Sequence, residues 1–358
     1  MPRFFQIVAA LIVLSSCVTS QKSADCVIRL SNGKIEIGLL PDVGGRLVKV
    51  SLVGKVNILQ SDSNLWNEPV DKRPSLDPAQ PFKAYNGHIN WVNPQSEWWV
   101  KQNLIPDLKA KRSLWPPDPY LTLAKYKITV QKAGEITMIS PESPYTHVQF
   151  TKTYRIEGNK AFLKTSARNC STDTVSWGLW FNTRMNGWDQ VFVSTDSASL
   201  VKCSWLNPSG IEKPGLIYTN GSYSYQTTLP NSMQKVFKGK AFFSPASAPV
   251  IAGYKANQWL IIRSEMIDKA SIHPEQARIE LYIENSSNPK EDLQELEMQF
   301  AYEKIAPGKS ITASQTWEVL PGTGLTNKEE LGKELKLKLE GKWVTLRERL
   351  RDGAKIRK

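Results

Sequence analysis

The segment VQFTKTYRIEGNKAFLKTSA, residues 148–167, decides the fold. Apolar and polar residues alternate from Val148 to Ile156, the chain turns at Glu157-Gly158-Asn159-Lys160, and alternation resumes over Ala161–Ala167. A period of two belongs to a half-buried strand, so the segment predicts a β-hairpin. The same signal recurs outward in both directions. Val27-Ile28-Arg29-Leu30 and Lys34-Ile35-Glu36-Ile37 flank Ser31-Asn32-Gly33, and Asn-Gly between apolar runs is a strong hairpin signal. Tyr126–Val130 and Ile136–Ile139 face each other across Ala133-Gly134. Val175–Phe181, with Trp177 and Trp180, continues the series, as do Trp259–Arg263, Arg278–Glu284, Leu296–Tyr302 and Ile311–Val319, the last after a turn at Ala306-Pro307-Gly308-Lys309. Gly210–Asn231 reads as loop or sheet edge. The Gly44-Gly45 pair predicts a tight bend or bulge, after which Val48, Val50 and Leu52 are expected on one face. Many short strands with almost no helical period predict an all-β fold, a large sandwich spanning 27–322 with no second domain and no internal repeat. Beyond Pro321-Gly322 the pattern changes. Leu331, Leu335, Leu337, Leu339 and Leu346 lie among mixed charges, which predicts a C-terminal amphipathic helical tail over 323–358 with a basic end. It reads as a solvated helix packed on the sandwich edge, with contact to anionic lipid as the alternative.

Tyr85–Tyr120 breaks the alternation. Trp91, Trp98, Trp99 and Trp115 sit among Asn86, His88, Asn90, Pro94 and the run Pro116-Pro117-Asp118-Pro119. This much proline argues against a strand, and no 3.6-residue period supports a helix. The segment is expected to be a long ordered loop, and long loops in compact domains usually carry binding or active sites. Indole faces beside Asn, His and Asp suit a sugar cleft, because rings stack on the C–H face of a pyranose while polar groups take its hydroxyls. The plainer reading is that these rings plug the end of the sandwich.

The 358 residues carry a formal charge of +12 and are 41% hydrophobic. The basic residues are scattered and no nucleic-acid motif accompanies them, so nucleic acid is not an expected partner. Arg3, the apolar run Phe4–Leu14 and Leu14-Ser15-Ser16-Cys17 resemble a bacterial lipobox, in which the cysteine becomes the lipidated first residue. An ordinary signal peptide or an uncleaved anchor are the rivals. The expected organisation is a signal peptide over 1–17, lipidation at Cys17, a tether over 18–26 and then the sandwich. The location is expected to be the bacterial cell envelope, with Val18 after the cysteine favouring the outer membrane. Several acyl chains hold a protein on a membrane where one is marginal. Cys26, Cys170 and Cys203 remain; they can close at most one disulfide, and no CxxC suggests zinc.

Three patches carry a family resemblance. Pro41-Asp42-Val43-Gly44-Gly45-Arg46 with Gly54 and Asn57-Ile58-Leu59 is the first. Gly87-His88-Ile89-Asn90-Trp91 with Pro94 and Trp115-Pro116-Pro117-Asp118-Pro119 is the second. Leu281-Tyr282-Ile283-Glu284, Leu296-Glu297, Pro307-Gly308 and Trp317 form the third. Together they resemble an uncharacterised bacterial family with the galactose mutarotase-like fold, over roughly residues 30–320. The resemblance implies a β-supersandwich whose concave face holds a sugar. In aldose 1-epimerases a carboxylate takes the proton of the anomeric hydroxyl and a histidine protonates the ring oxygen. The resemblance places the base at Glu284, with Tyr282 on the same strand face and Glu297 as understudy; Glu295, Glu297 and Gln299 share the face opposite Leu296, Met298 and Phe300. The family's histidine motif falls near Leu179-Trp180-Phe181-Asn182, where Trp180 replaces the acid, and an indole cannot deliver that proton. His88 is the substitute acid. Arg46 and Arg184 are candidates for sugar hydroxyls or an acidic sugar, beside Trp91, Trp115, Asp118 and Trp180. His147 and His273 read as structural or exposed.

No nucleophile elbow, phosphate loop, zinc-protease or dinucleotide motif is present. The three histidines are far apart, so neither a metal nor a cofactor is expected. Two function classes remain: a membrane-anchored protein that binds or epimerises a sugar, and a non-catalytic envelope scaffold with no sugar site.

Overall fold

The computed structural model describes residues 26–69, 72–195, 200–205, 215–225, 237–286 and 288–342. Cys17, the segment before Cys26 and the chain after Lys342 lie outside them. Two antiparallel sheets, with strands over 46% of the described residues, form the sandwich. In spatial order the first sheet runs β1 (Ile28–Ser31), β2 (Ile35–Leu40), β3 (Arg46–Leu52), β4 (His88–Asn93), β9 (Val175–Asn186), β18 (Leu293–Gln299), β17 (Ile279–Asn285), β14 (Phe237–Phe243), β11 (Leu200–Trp205). A short β19 (Glu303–Ile305) also pairs with β9. The second sheet runs β12 (Leu216–Thr219), β13 (Ser222–Tyr225), β10 (Gln190–Ser194), β15 (Val250–Lys255), β16 (Gln258–Arg263), β20 (Ser310–Pro321), β8 (Lys160–Asn169), β7 (Val148–Glu157), β6 (Glu135–Ile139), β5 (Lys127–Lys132).

The alternating hairpin behaves as its sequence requires. β7 and β8 pair from Val148↔Asn169 to Glu157↔Lys160, and every second side chain is buried. Phe150, Tyr154, Leu163 and Ala167 join Leu260, Ile262, Leu281, Ile283, Leu296 and Met298 in one core between the sheets. Burial of this apolar surface is the main force holding the layers together. The Asn-Gly hairpin also forms, with β1 and β2 paired from Ile28↔Leu39 to Ser31↔Glu36.

The Gly44-Gly45 bend is a close approach. Gly44 has φ +69°, and a Cβ there would lie 2.2 Å from the Thr122 carbonyl oxygen. The bend's own carbonyls are taken by the buried Lys152 ammonium (2.8 Å to Gly44 O) and the Tyr154 hydroxyl (2.9 Å to Gly45 O). The strand that follows departs from expectation. Gly38 opposes Lys49 and Leu39 opposes Leu47, so Val48 bulges out of the ladder. Val48 packs with Leu40, Val43 and Tyr85, whereas Leu47 and Val50 face the main core.

The largest difference lies in Tyr85–Tyr120, expected as loop. His88–Asn93 is a central strand, paired with β9 from His88↔Thr183 to Asn93↔Gly178. All six of its residues are buried, so no alternation marks it, and the prolines begin only at Pro94. Several of its polar groups are paired inside: Asn93 Nδ2 donates to Leu179 O (3.2 Å) and Gln299 Oε1 (3.0 Å), and Asn90 Oδ1 accepts from Thr165 Oγ1 (3.2 Å). Only short helices follow, α1 (Pro106–Ala110) and α2 (Pro119–Thr122). Trp98 and Trp99 are buried, with their indoles donating to Val92 O and Pro116 O.

The last described helix, α3 (Lys328–Leu339), covers the outer face of the second sheet. Leu331 and Leu335 pack with Phe192, Tyr254, Trp259 and Ile261 there. Asn327 caps it, accepting from the Glu329 and Glu330 amides. No described helix is long and apolar enough to cross a membrane. No disulfide joins Cys26, Cys170 or Cys203.

Candidate functional site

Successive side chains on a strand point to opposite faces. In β17, Ile279, Leu281 and Ile283 enter the core, so Glu280, Tyr282 and Glu284 take the outer face of the first sheet. Strand register extends that face in rows. Arg184 on β9 opposes Glu295 on β18, which opposes Tyr282, which opposes Lys240 on β14. One step along, Asn182, Glu297, Glu280 and Phe242 form a parallel row. A cleft of about 800 Å³ lies over these rows. Phe82, Leu114 and Trp115 close one side, and Trp91 and Trp180 meet edge to face in its floor, centroids 4.7 Å apart. Trp115, 45% exposed, packs edge-on against Phe82.

The charges form a linked network. Arg184 pairs with Glu295 (2.7 Å) and also donates to Asn86 Oδ1 (2.7 Å), while Asn182 donates to the second Glu295 oxygen (2.8 Å). Lys240 bridges Glu280 (2.8 Å) and Glu297 (2.9 Å), both without solvent exposure. Lys238 pairs with Glu284 (2.7 Å), which also accepts from the Tyr282 hydroxyl (2.9 Å). Arg184, Lys238 and Lys240 thus face one more carboxyl than there are cations. Burial pushes the Glu297 carboxyl well above the ordinary range; Lys240 pulls it down, but Glu280 and Glu295 push it up. Glu297 Oε1 accepts no hydrogen bond. Burial raises Glu295 too, but Arg184, Lys240 and the Asn182 amide outweigh it and hold Glu295 below the usual value. Burial alone would lower the Lys240 ammonium, yet Glu280 and Glu297 hold it above its usual range. The two buried carboxyls are thus pushed apart, Glu297 upward and Glu295 downward, beside one cation.

The sequence candidates divide between this face and the other. Trp91, Trp115, Trp180, Arg184, Tyr282 and Glu284 line the cleft, whereas Glu297 does not and is buried against Lys240. His88, Arg46 and Asp118 do not. His88 is on the inner face, where Nδ1 meets Thr183 Oγ1 at 2.9 Å and the ring packs edge-on against Trp317. Burial, then Lys152 and Arg46, lower its pKa well below the usual value, so it is a neutral core imidazole. His88 and Glu284 stand on opposite faces of one sheet and cannot act on one sugar. Arg46 donates to the Asn86 (3.0 Å) and Thr122 (2.8 Å) carbonyls, and burial with Arg184 nearby lowers it to about 9. Asp118 caps α2 through the Tyr120 amide (2.9 Å) and accepts from Ser143 and Thr146. Burial raises its carboxyl despite those bonds.

Lys240, Lys238 and Glu280 were missed. The signal available is the alternation Lys238-Gly239-Lys240 between phenylalanines, which reads as polar surface until its partner strands are known. No grouping of three His, Cys, Asp or Glu side chains suited to a metal occurs among the described residues.

Comparison with known proteins places the architecture. A Klebsiella pneumoniae structure, provisionally named an aldose 1-epimerase, is similar with a TM-score of 0.52 and 12% identity, covering 87% of this chain and 82% of its own. A galactose mutarotase-like protein from Lactobacillus casei gives 0.50 and 9%, covering 82% and 100%. At such identities the likeness is one of fold, which is galactose mutarotase-like. No curated protein matches the sequence. The family model described as a domain of unknown function, DUF4380, matches residues 26–320, and the chain belongs to that family.

Proposed function

We propose that this DUF4380 member binds a carbohydrate in the cleft on the outer face of its first sheet, as a lipoprotein held in the bacterial envelope by Cys17. The carrying observation is the array itself: aromatic surface from Phe82, Trp115 and Phe242 beside Arg184, Lys240, Tyr282, Glu284 and Glu295 in one cleft. Sugars need that combination, because the C–H faces take aromatic contact and the hydroxyls take fixed donors and acceptors. The mutarotase-like fold of the similar structures supports the ligand class. The lipobox-like Leu14-Ser15-Ser16-Cys17 supports the anchor.

Epimerisation is the second reading, favoured by the four carboxyls beside only three cations on this face, with the Glu297 carboxyl pushed upward by burial. Ring opening needs an acid for the ring oxygen and a base for the anomeric hydroxyl. In this reading Glu284, which pairs with Lys238 and accepts from Tyr282, is the base. The Glu295–Glu297 pair holds the proton that the ring oxygen would take, and reclosure returns both protons. Trp180 then costs the site nothing, because the acid sits one strand away.

Titration of the full chain in detergent with neutral and acidic sugars, followed by tryptophan fluorescence, tests binding. Binding lost in Trp115→Ala supports the cleft, whereas no response to any sugar leaves the scaffold reading. Saturation-exchange NMR of α/β interconversion, lost in Glu284→Gln, separates epimerase from binder. Cys17→Ser should release the chain from the membrane fraction if the anchor is as proposed.

A further inference from the structure

The cleft is longer than one sugar. Its lining comes from six consecutive strands of the first sheet: Trp91 on β4, Arg184 on β9, Glu295 on β18, Tyr282 on β17, Lys240 on β14 and Ser204 on β11. Neighbouring strands lie about 4.8 Å apart, so five spacings carry the floor across about 24 Å. A single pyranose covers about two such spacings. The volume agrees: about 800 Å³ is in the range that encloses drug-sized ligands, which have two to three times the atoms of a hexose.

The polar groups are also distributed rather than gathered. Arg184–Glu295 lies toward β9, the Lys240–Glu280 pair toward β14, and Lys238–Glu284 one register step away. Aromatic surface comes from separate places, Trp115 with Phe82 from the segments that flank β4 in the chain, and Phe242 on β14. A site for one ring would concentrate its contacts around one position. These repeat across the strands, as the hydroxyls of successive sugar units do.

Resting on the carbohydrate reading above, we infer that the ligand is an oligosaccharide of three or more units lying across the strands, from the Trp115 lip to Phe242. Every cation in the network already has a carboxylate partner, so the chain is uncharged. A free monosaccharide fills one subsite only.

The test is calorimetric titration of the full chain in detergent micelles with the one- to six-unit members of the malto-, cello- and chito-oligosaccharide series. In the series that binds, Kd should tighten at least tenfold from the monosaccharide to the trisaccharide and level off by the fifth unit. Trp115→Ala and Phe242→Ala should each shorten the length at which the gain stops. Equal affinity for one unit and for longer chains, or rejection of all chains longer than one, overturns the inference while leaving sugar binding intact. Silence at every length overturns both.

Discussion

Glu297→Gln tests the electrostatic reading of the cleft floor. If Glu297 is the protonated acid, it accepts from Lys240 through one oxygen (2.9 Å) and donates through the other to Glu295. A glutamine repeats both roles in nearly the same volume, so below the ordinary 4.5, where the acid is protonated both folded and unfolded, the cost should stay below about 1 kcal/mol. If Glu297 were instead a carboxylate, the change would lose a charge-assisted bond worth about 1.5–3 kcal/mol. The pH dependence sharpens the contrast. The folded-state pKa is raised above the ordinary 4.5, so the stabilisation from this group is full below that value and is lost as pH rises through the folded pKa. Glutamine has no proton to lose. Relative to wild type, the variant should therefore gain about 1.4 kcal/mol per pH unit across that window. Urea unfolding of both proteins from pH 4 to 8 measures the difference. A variant that is about 2 kcal/mol or more less stable than wild type at pH 7, with no change across the range, would refute the raised Glu297 carboxyl.

Lys240→Met removes the cation between two buried carboxyls and should cost about 3–5 kcal/mol in the same unfolding assay, because it leaves a buried charge unpaired. His88→Gln should leave sugar binding unchanged and reverse the pH trend. The folded His88 pKa is lowered, so wild type loses stability as pH falls below about 6.5 and the variant does not, which thermal unfolding at pH 5 and 8 checks. Gly44→Ala puts a Cβ 2.2 Å from the Thr122 carbonyl oxygen in a left-handed conformation, and should cost several times the roughly 1–2 kcal/mol of that backbone strain alone, read as loss of soluble protein or of its unfolding midpoint. Leu335→Ala should cost about 2–5 kcal/mol by opening a cavity between α3 and Trp259, measured by urea unfolding.

Much of the sandwich is legible in the sequence because half-buried strands write their period into it. β7 with β8, β5 with β6, and β1 with β2 all follow alternation and turn residues. The central strand β4 is not legible, since it is covered on both faces and has no alternation to show. Its histidine and asparagines look like binding residues for the reason that they are polar, yet His88 is spent on Thr183 of the neighbouring strand and Asn90 on Thr165 of the facing sheet. Half of the site is visible: Glu295, Glu297 and Gln299 share a face opposite the core, as period two requires. What lies over that face is set by register between strands distant in the chain. Lys240 meets Glu280 and Glu297 only because β14, β17 and β18 pair, and no local spacing encodes that.

Hydrogen-exchange mass spectrometry of the full chain, with and without saturating oligosaccharide, addresses the central claim most directly. Carbohydrate bound on the outer face of the first sheet should slow exchange in residues 80–85, 113–117, 238–242, 280–284 and 293–297, and leave α3 and β20 unchanged. Exchange unaltered by every sugar, or slowed on the second sheet alone, would contradict it.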